Sequence, residues 1–135
     1  MQVLLVDDDA DHLAFMTALL RRAGHHPHSF TDAQTALDRL AEGTEVDAVV
    51  TDVFMPLMDG VEFTRAIRRH APALPIIAVT GGFGGISHPY ERAMAAFGAR
   101  QVFRKPVDAA ELLRAIERLP GMDEQVLADG TVKAS

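Results

Sequence analysis

The chain contains no cysteine, which excludes disulfides, thiolate nucleophiles and cysteine-based zinc sites and leaves carboxylates and imidazoles as possible metal ligands. Basic side chains are also scarce: 13 Lys and Arg stand against 19 Asp and Glu, a formal charge of −6. A surface of that sign repels a phosphate backbone and argues against direct nucleic-acid binding. Long apolar runs are missing too. The longest, Val46 to Val50 broken by Asp47 and Pro75 to Val79, are far too short to cross a bilayer, and the first residues lack the basic-then-apolar pattern of a secretion signal. These absences predict a soluble, cytoplasmic protein with no membrane partner.

Against them stand 135 residues, 48% of them hydrophobic, enough apolar side chain for one domain with a proper core. Val3 to Val6 is continuously apolar, as expected of a strand buried on both faces of a parallel sheet, and it stops at Asp7-Asp8-Asp9. From Asp11 to Ala23 the positions Leu13, Met16, Leu19 and Leu20 recur at helical spacing, and Gly24 follows as a terminator. His26 to Phe30 reads as a short edge strand that tolerates Pro27, and Asp32 to Leu40 as a second helix closed by Gly43. The alternation continues with a strand at Val46 to Thr51, a loop at Val53 to Asp59 and a helix at Gly60 to Arg69. A strand at Pro75 to Val79, a helix at Pro89 to Phe97, a strand at Arg100 to Phe103 and a helix at Asp108 to Leu119 complete it. Strict alternation predicts an α/β fold, a flavodoxin-like five-stranded parallel sheet of order 2-1-3-4-5 with helices on both faces. Residues 1–119 are expected to form the domain. Pro120 to Ser135 lacks periodicity and reads as a mobile tail.

In open parallel sheets the functional crevice lies beyond the carboxyl ends of the strands, where strand order reverses. Here that is between the first and third strands, which end in Asp7-Asp8 and at Asp52. For any single aspartate, capping the next helix is a sufficient explanation, and Asp9 or Asp11 needs no other. The set demands more. Carboxylates gathered in one crevice repel one another and call for a hard, oxygen-seeking cation such as magnesium. Thr80 and Lys105-Pro106 fall at the ends of the fourth and fifth strands and add a hydroxyl and an ammonium to the same rim.

The residues reached in this way resemble the response-regulator receiver family, whose bacterial chemotaxis regulator is a single-domain example. The matching segments are LLVDDD at Leu4 to Asp9, VVTDVFMPLMDG at Val49 to Gly60, AVTG at Ala78 to Gly81 and FGARQVFRKPV at Phe97 to Val107. The resemblance implies that Asp52 takes the phosphoryl group of a phosphohistidine donor and becomes an acyl phosphate. It assigns magnesium to Asp8 directly, to Asp7 mostly through water, to Asp52 and to the backbone carbonyl of Phe54. Thr80 would hydrogen-bond a phosphoryl oxygen, and Lys105 would pair first with Asp52 and then with the phosphoryl group. A cis peptide before Pro106 would aim the lysine into the crevice. The implied partners are a sensor histidine kinase or histidine phosphotransfer protein and a downstream protein target, with the chain a stand-alone receiver, monomeric or weakly dimeric. Such a protein assists its own phosphorylation and dephosphorylation without being an enzyme in the ordinary sense.

Physical chemistry supports each role. Phosphoryl transfer proceeds through a loose transition state with charge on the equatorial oxygens, so a metal, an ammonium and a hydroxyl fixed around them are the needed apparatus. This chain departs from the family at Val102, where many members carry an aromatic three residues before the lysine, so the resemblance does not extend to a switch based on an aromatic flip. Phe103 alternates to the opposite face and reads as core. The stretch after Thr80 has glycine at four of five positions from Gly81 to Gly85, which suits either a plain connector or a loop ordered by a phosphoryl group. It lacks the Gly-Lys-Ser/Thr ending of a nucleotide loop. His25, His26 and His28 lack the geometry of a metal site, Met55 and Met58 read as packing, and Arg65, Arg68 and Arg69 as a solvated helix face. Two rival functions are an aspartyl-phosphate phosphatase of the haloacid-dehalogenase kind and a non-phosphorylated interaction module. The first wants an acidic residue where Phe54 stands, and the complete acidic set argues against the second.

Overall fold

The three strands at 2–6, 48–52 and 76–80 are short and rich in Val, Ile or Leu, the composition of strands buried on both faces of a sheet. The computed structural model describes residues 1–81 and 88–125. Its elements run β1 (Gln2–Val6), α1 (Ala10–Arg22), β2 (His26–Phe30), α2 (Ala33–Ala41), β3 (Ala48–Asp52), α3 (Gly60–His70), β4 (Ile76–Thr80), α4 (His88–Ala96), β5 (Ala99–Arg104) and α5 (Ala109–Gln125). The strands form one parallel sheet of order β2-β1-β3-β4-β5, the expected order. Pro27 lies on the edge strand β2, where a missing N–H is harmless.

Alternation along β1 divides the core between two faces. Val3 and Leu5 pack with Leu13, Met16 and Leu20 of α1 and with Leu112 and Ile116 of α5. Leu4 and Val6 pack with Ala33, Ala36 and Leu40 of α2, Phe63 and Ile67 of α3, and Met94 of α4. All four β1 residues are fully buried, as a strand covered on both faces requires.

Aspartates start the helices. The Asp9 carboxylate accepts from the N–H groups of Asp11 and His12, Asp32 from Thr35, and Asp108 from Glu111, while Asp59 and Glu62 form a reciprocal capping box on α3. Each cap contributes about 1 kcal/mol and fixes where its helix begins. Helix α5 continues to Gln125 rather than ending at Leu119. The remainder of the expected tail lies outside the described residues. No helix among the described residues is long and apolar enough to cross a membrane.

Gly60 brings α3 against the end of β3. A Cβ there would stand 2.5 Å from the Asp52 carbonyl oxygen and 2.8 Å from Val53 Cα, and the Gly60 N–H donates to the Val53 carbonyl at 2.7 Å. Only glycine allows this approach, which holds the segment after Asp52 tightly against the sheet.

Candidate functional site

Because β1 and β3 are neighbours in register, with Val6 opposite Thr51, the residues that follow them emerge side by side. Ligand atoms of Asp7, Asp8 and Asp52 all lie within 4.8 Å of one another. Asp7 is fully buried, Asp52 is 4% exposed and Asp8 is open to solvent. Opposite them, Lys105 Nζ lies 3.2 Å from Asp7 Oδ2 and 3.4 Å from Asp52 Oδ2. The Lys105–Pro106 peptide is cis, as expected. Thr80, also buried, ends β4 one residue beyond the partner of Asp52 in the β3–β4 register, and its carbonyl accepts the Lys105 N–H at 2.8 Å.

The second oxygen of Asp52, Oδ1, accepts the N–H of Val53 at 2.8 Å. Burial, followed by the neighbouring Asp7 charge, pushes the Asp52 carboxyl up to about 7, against the opposing pull of Lys105. Asp7 moves the other way. Burial works to raise it, yet the Asp9 N–H, His12 and Lys105 together hold it below the usual carboxylate range. Lys105 is raised: burial disfavours its charge, but Asp52 and Asp7 outweigh that. One ammonium facing three carboxylates leaves a net negative pocket of hard oxygens, and that donor set suits magnesium. Phe54 follows Asp52 by two residues, and its ring meets Tyr90 of α4 edge-on at 4.9 Å between centroids.

Residues 3–117 match the family of the response regulator receiver domain. The chain is a receiver domain of two-component signalling. It is 31% identical over 118 residues to the response regulator receiver protein CpdR of Brucella abortus (strain 2308), covering 87% of this chain and 95% of that one. Among solved structures, the chemotaxis protein CheY4 of Vibrio cholerae is similar with a TM-score of 0.78 at 28% identity, covering 87% of this chain and 97% of that one. The receiver domain of the sensor histidine kinase PA1611 of Pseudomonas aeruginosa PAO1, with a magnesium ion coordinated in its active site cleft, gives a TM-score of 0.76 at 32% identity and covers 89% and 97%. Receiver domains are phosphoacceptors of signalling rather than enzymes in the ordinary sense, and they act with histidine kinases and downstream targets.

Around the acidic cluster the packing residues fall where expected, and one basic side chain does not. Val102 is half-buried among the α3 and α4 core residues, and Phe103 is buried on the opposite face with α1 and α5. Gly81 is exposed, with nothing within 4 Å of the position a Cβ would take, while Gly82 to Gly85 lie outside the described residues. His25 bonds the N-terminal amine at 3.1 Å and Glu117 at 3.2 Å, and His28 bonds Gln2 at 2.7 Å. Met55 is buried and Met58 packs against the core. Arg68 corrects the reading of a solvated α3 face. Its Nε donates to the Phe97 carbonyl at 2.8 Å, Nη1 to that of Leu74 at 2.7 Å and Nη2 to that of Gly98 at 3.2 Å, because helix ends leave carbonyls in need of donors. His12 was missed altogether: its Nδ1 lies 2.6 Å from Asp7 Oδ2. Its signal was its place in the first turn after the aspartate run, where a helix brings side chains back over the preceding strand end.

Proposed function

We propose that Asp52 of this receiver accepts a phosphoryl group from a phosphohistidine, with magnesium held by Asp7, Asp8, Asp52 and the Phe54 carbonyl. The observation that carries this reading is the convergence of the three carboxylates opposite Lys105 at the reversal point of the sheet. Magnesium, when bound, offsets the carboxylate charges and those of the equatorial phosphoryl oxygens. Asp52 supplies the attacking oxygen. Its bond to phosphorus forms as the bond from phosphorus to the donor imidazole nitrogen breaks, giving an acyl phosphate.

A carboxyl pushed up to about 7 is only partly ionised near neutrality, so cations close to it matter for nucleophilicity as well as for binding. Lys105 pairs with Asp52 before transfer and turns to a phosphoryl oxygen after it. Thr80 donates its hydroxyl to another of those oxygens. The magnesium bound by the PA1611 receiver, at 32% identity, supports the same ion here. The match over 95% of CpdR supports a receiver working through protein contacts or by passing the phosphoryl group onward. A sensor histidine kinase or histidine phosphotransfer protein is the proposed donor.

The test is intact mass after incubation with acetyl phosphate and magnesium. Wild type is expected to gain one phosphoryl group, with little gain in EDTA and none for Asp52→Asn. Equal labelling of Asp52→Asn would move the acceptor elsewhere, and no labelling of wild type would leave a receiver that is not phosphorylated.

A further inference from the structure

One short stretch of chain grips Asp7 from both sides. Its Oδ1 accepts the backbone N–H of Asp9 at 2.9 Å, and its Oδ2 faces His12 Nδ1 at 2.6 Å. His12 is itself fixed from two directions. Its backbone N–H donates to the capping Asp9 carboxylate at 3.2 Å, and its ring lies 5.9 Å from that of Phe15 along α1. The side chain is only 16% exposed, and Nε2 is enclosed with no hydrogen-bond partner among the described residues. An ionised carboxylate only accepts, so Nδ1 carries the hydrogen and donates it. The imidazole leaves one nitrogen unpaired in a buried place while the other makes a short bond to Asp7.

We propose that His12 is a positioning residue for the divalent ion, fixing the Asp7 carboxylate in the orientation that lets it share the ion with Asp8 and Asp52. The inference rests on the reading of the acidic pocket as a magnesium site. A carboxylate already held in its binding rotamer has less freedom to lose when the ion arrives, and donors behind a ligand commonly change metal affinity by about 10–100-fold. Lys105 cannot serve in this way throughout the cycle. It is shared between Asp7 and Asp52, at 3.2 and 3.4 Å, and is needed at the phosphoryl group after transfer. His12 bonds Asp7 and not Asp52, so its hold can persist in both states.

The test is calorimetric titration of magnesium into the metal-free full chain at one fixed pH, without phosphodonor, for wild type, His12→Leu, His12→Asn and His12→Gln. Thermal unfolding of each in EDTA runs in parallel. His12→Leu is expected to bind magnesium about tenfold more weakly. His12→Asn, whose amide nitrogen can occupy the place of Nδ1, is expected to recover most of that loss. His12→Gln, whose amide falls nearer the place of Nε2, is expected to stay as weak as His12→Leu. A merely structural histidine would lower the unfolding midpoint in EDTA in all three and leave the dissociation constant unchanged, and that result overturns the proposal. Recovery by glutamine as complete as by asparagine overturns it too. Wild type that takes up no magnesium defeats the reading of the pocket itself, an outcome distinct from failure of His12 alone.

Discussion

Leu57 holds a backbone conformation that side chains other than glycine seldom adopt. Its φ is 70°, it projects fully into solvent, and the turn is closed by the Met58 N–H donating to the Pro56 carbonyl at 2.7 Å. A left-handed backbone costs an ordinary residue about 1–2 kcal/mol, whereas glycine adopts it freely but brings about 0.5–1 kcal/mol of extra unfolded-state entropy. With no packing to lose, Leu57→Gly is expected to stabilise the protein by up to about 1 kcal/mol, a rise of a few degrees in Tm. A lowered midpoint would mean that the leucine has a packing role in the folded protein. The same loop carries Phe54, whose ring packs edge-on against Tyr90 of α4.

Among the elements, Arg68 ties α3 to the end of α4 and to the connection that follows α3. Arg68 donates to carbonyls at the end of α4 and in the α3–β4 connection, and burial beside Arg100 lowers its pKa without threatening its charge. A planar fork can serve several carbonyls at once; a lysine ammonium at the end of a flexible stem cannot match that geometry. Arg68→Lys is therefore expected to cost about 1–3 kcal/mol, measured by urea unfolding. A loss indistinguishable from zero would show that water replaces the guanidinium at those carbonyls. Gly98 belongs to the same joint: its φ is +94° and a Cβ there would lie 3.1 Å from Arg68 Nη2.

Across the whole molecule, charge repulsion in the acidic pocket should be visible in stability. The metal-free Asp52 carboxyl sits at about 7 in the folded state, against about 3.9 for an ordinary aspartate in an unfolded chain. Between those values the folded state binds the extra proton, so metal-free stability should fall as pH rises from about 4 to about 7. Asp7, held low, acts in the opposite sense at lower pH: its contribution is present above the ordinary aspartate value and is lost as pH falls below that value and through the lowered folded one. Urea unfolding in EDTA across this range is expected to show the decline, and Asp52→Asn to flatten it. Millimolar magnesium should raise the midpoint at neutral pH by binding the folded state, and Asp8→Ala should remove most of that rise. A midpoint in EDTA that climbs between pH 5 and 7 would contradict the raised Asp52 carboxyl.

Sequence alone determined the alternation of strands and helices, because buried parallel strands are continuous apolar runs and the helices repeat at their own period. It also placed Asp7, Asp8, Asp52, Thr80 and Lys105 at one rim, since residues that end neighbouring strands of such a sheet must emerge together. Which groups share which oxygen is a matter of packing in three dimensions. His12 on Asp7 and Arg68 on the carbonyls of Leu74, Phe97 and Gly98 are set by how α1 leans over the end of β1 and how α3 meets α4. Local periodicity reports which face of a helix is apolar. It carries no record of which polar atom another element brings within 3 Å of it, and that depends on how the elements pack in space.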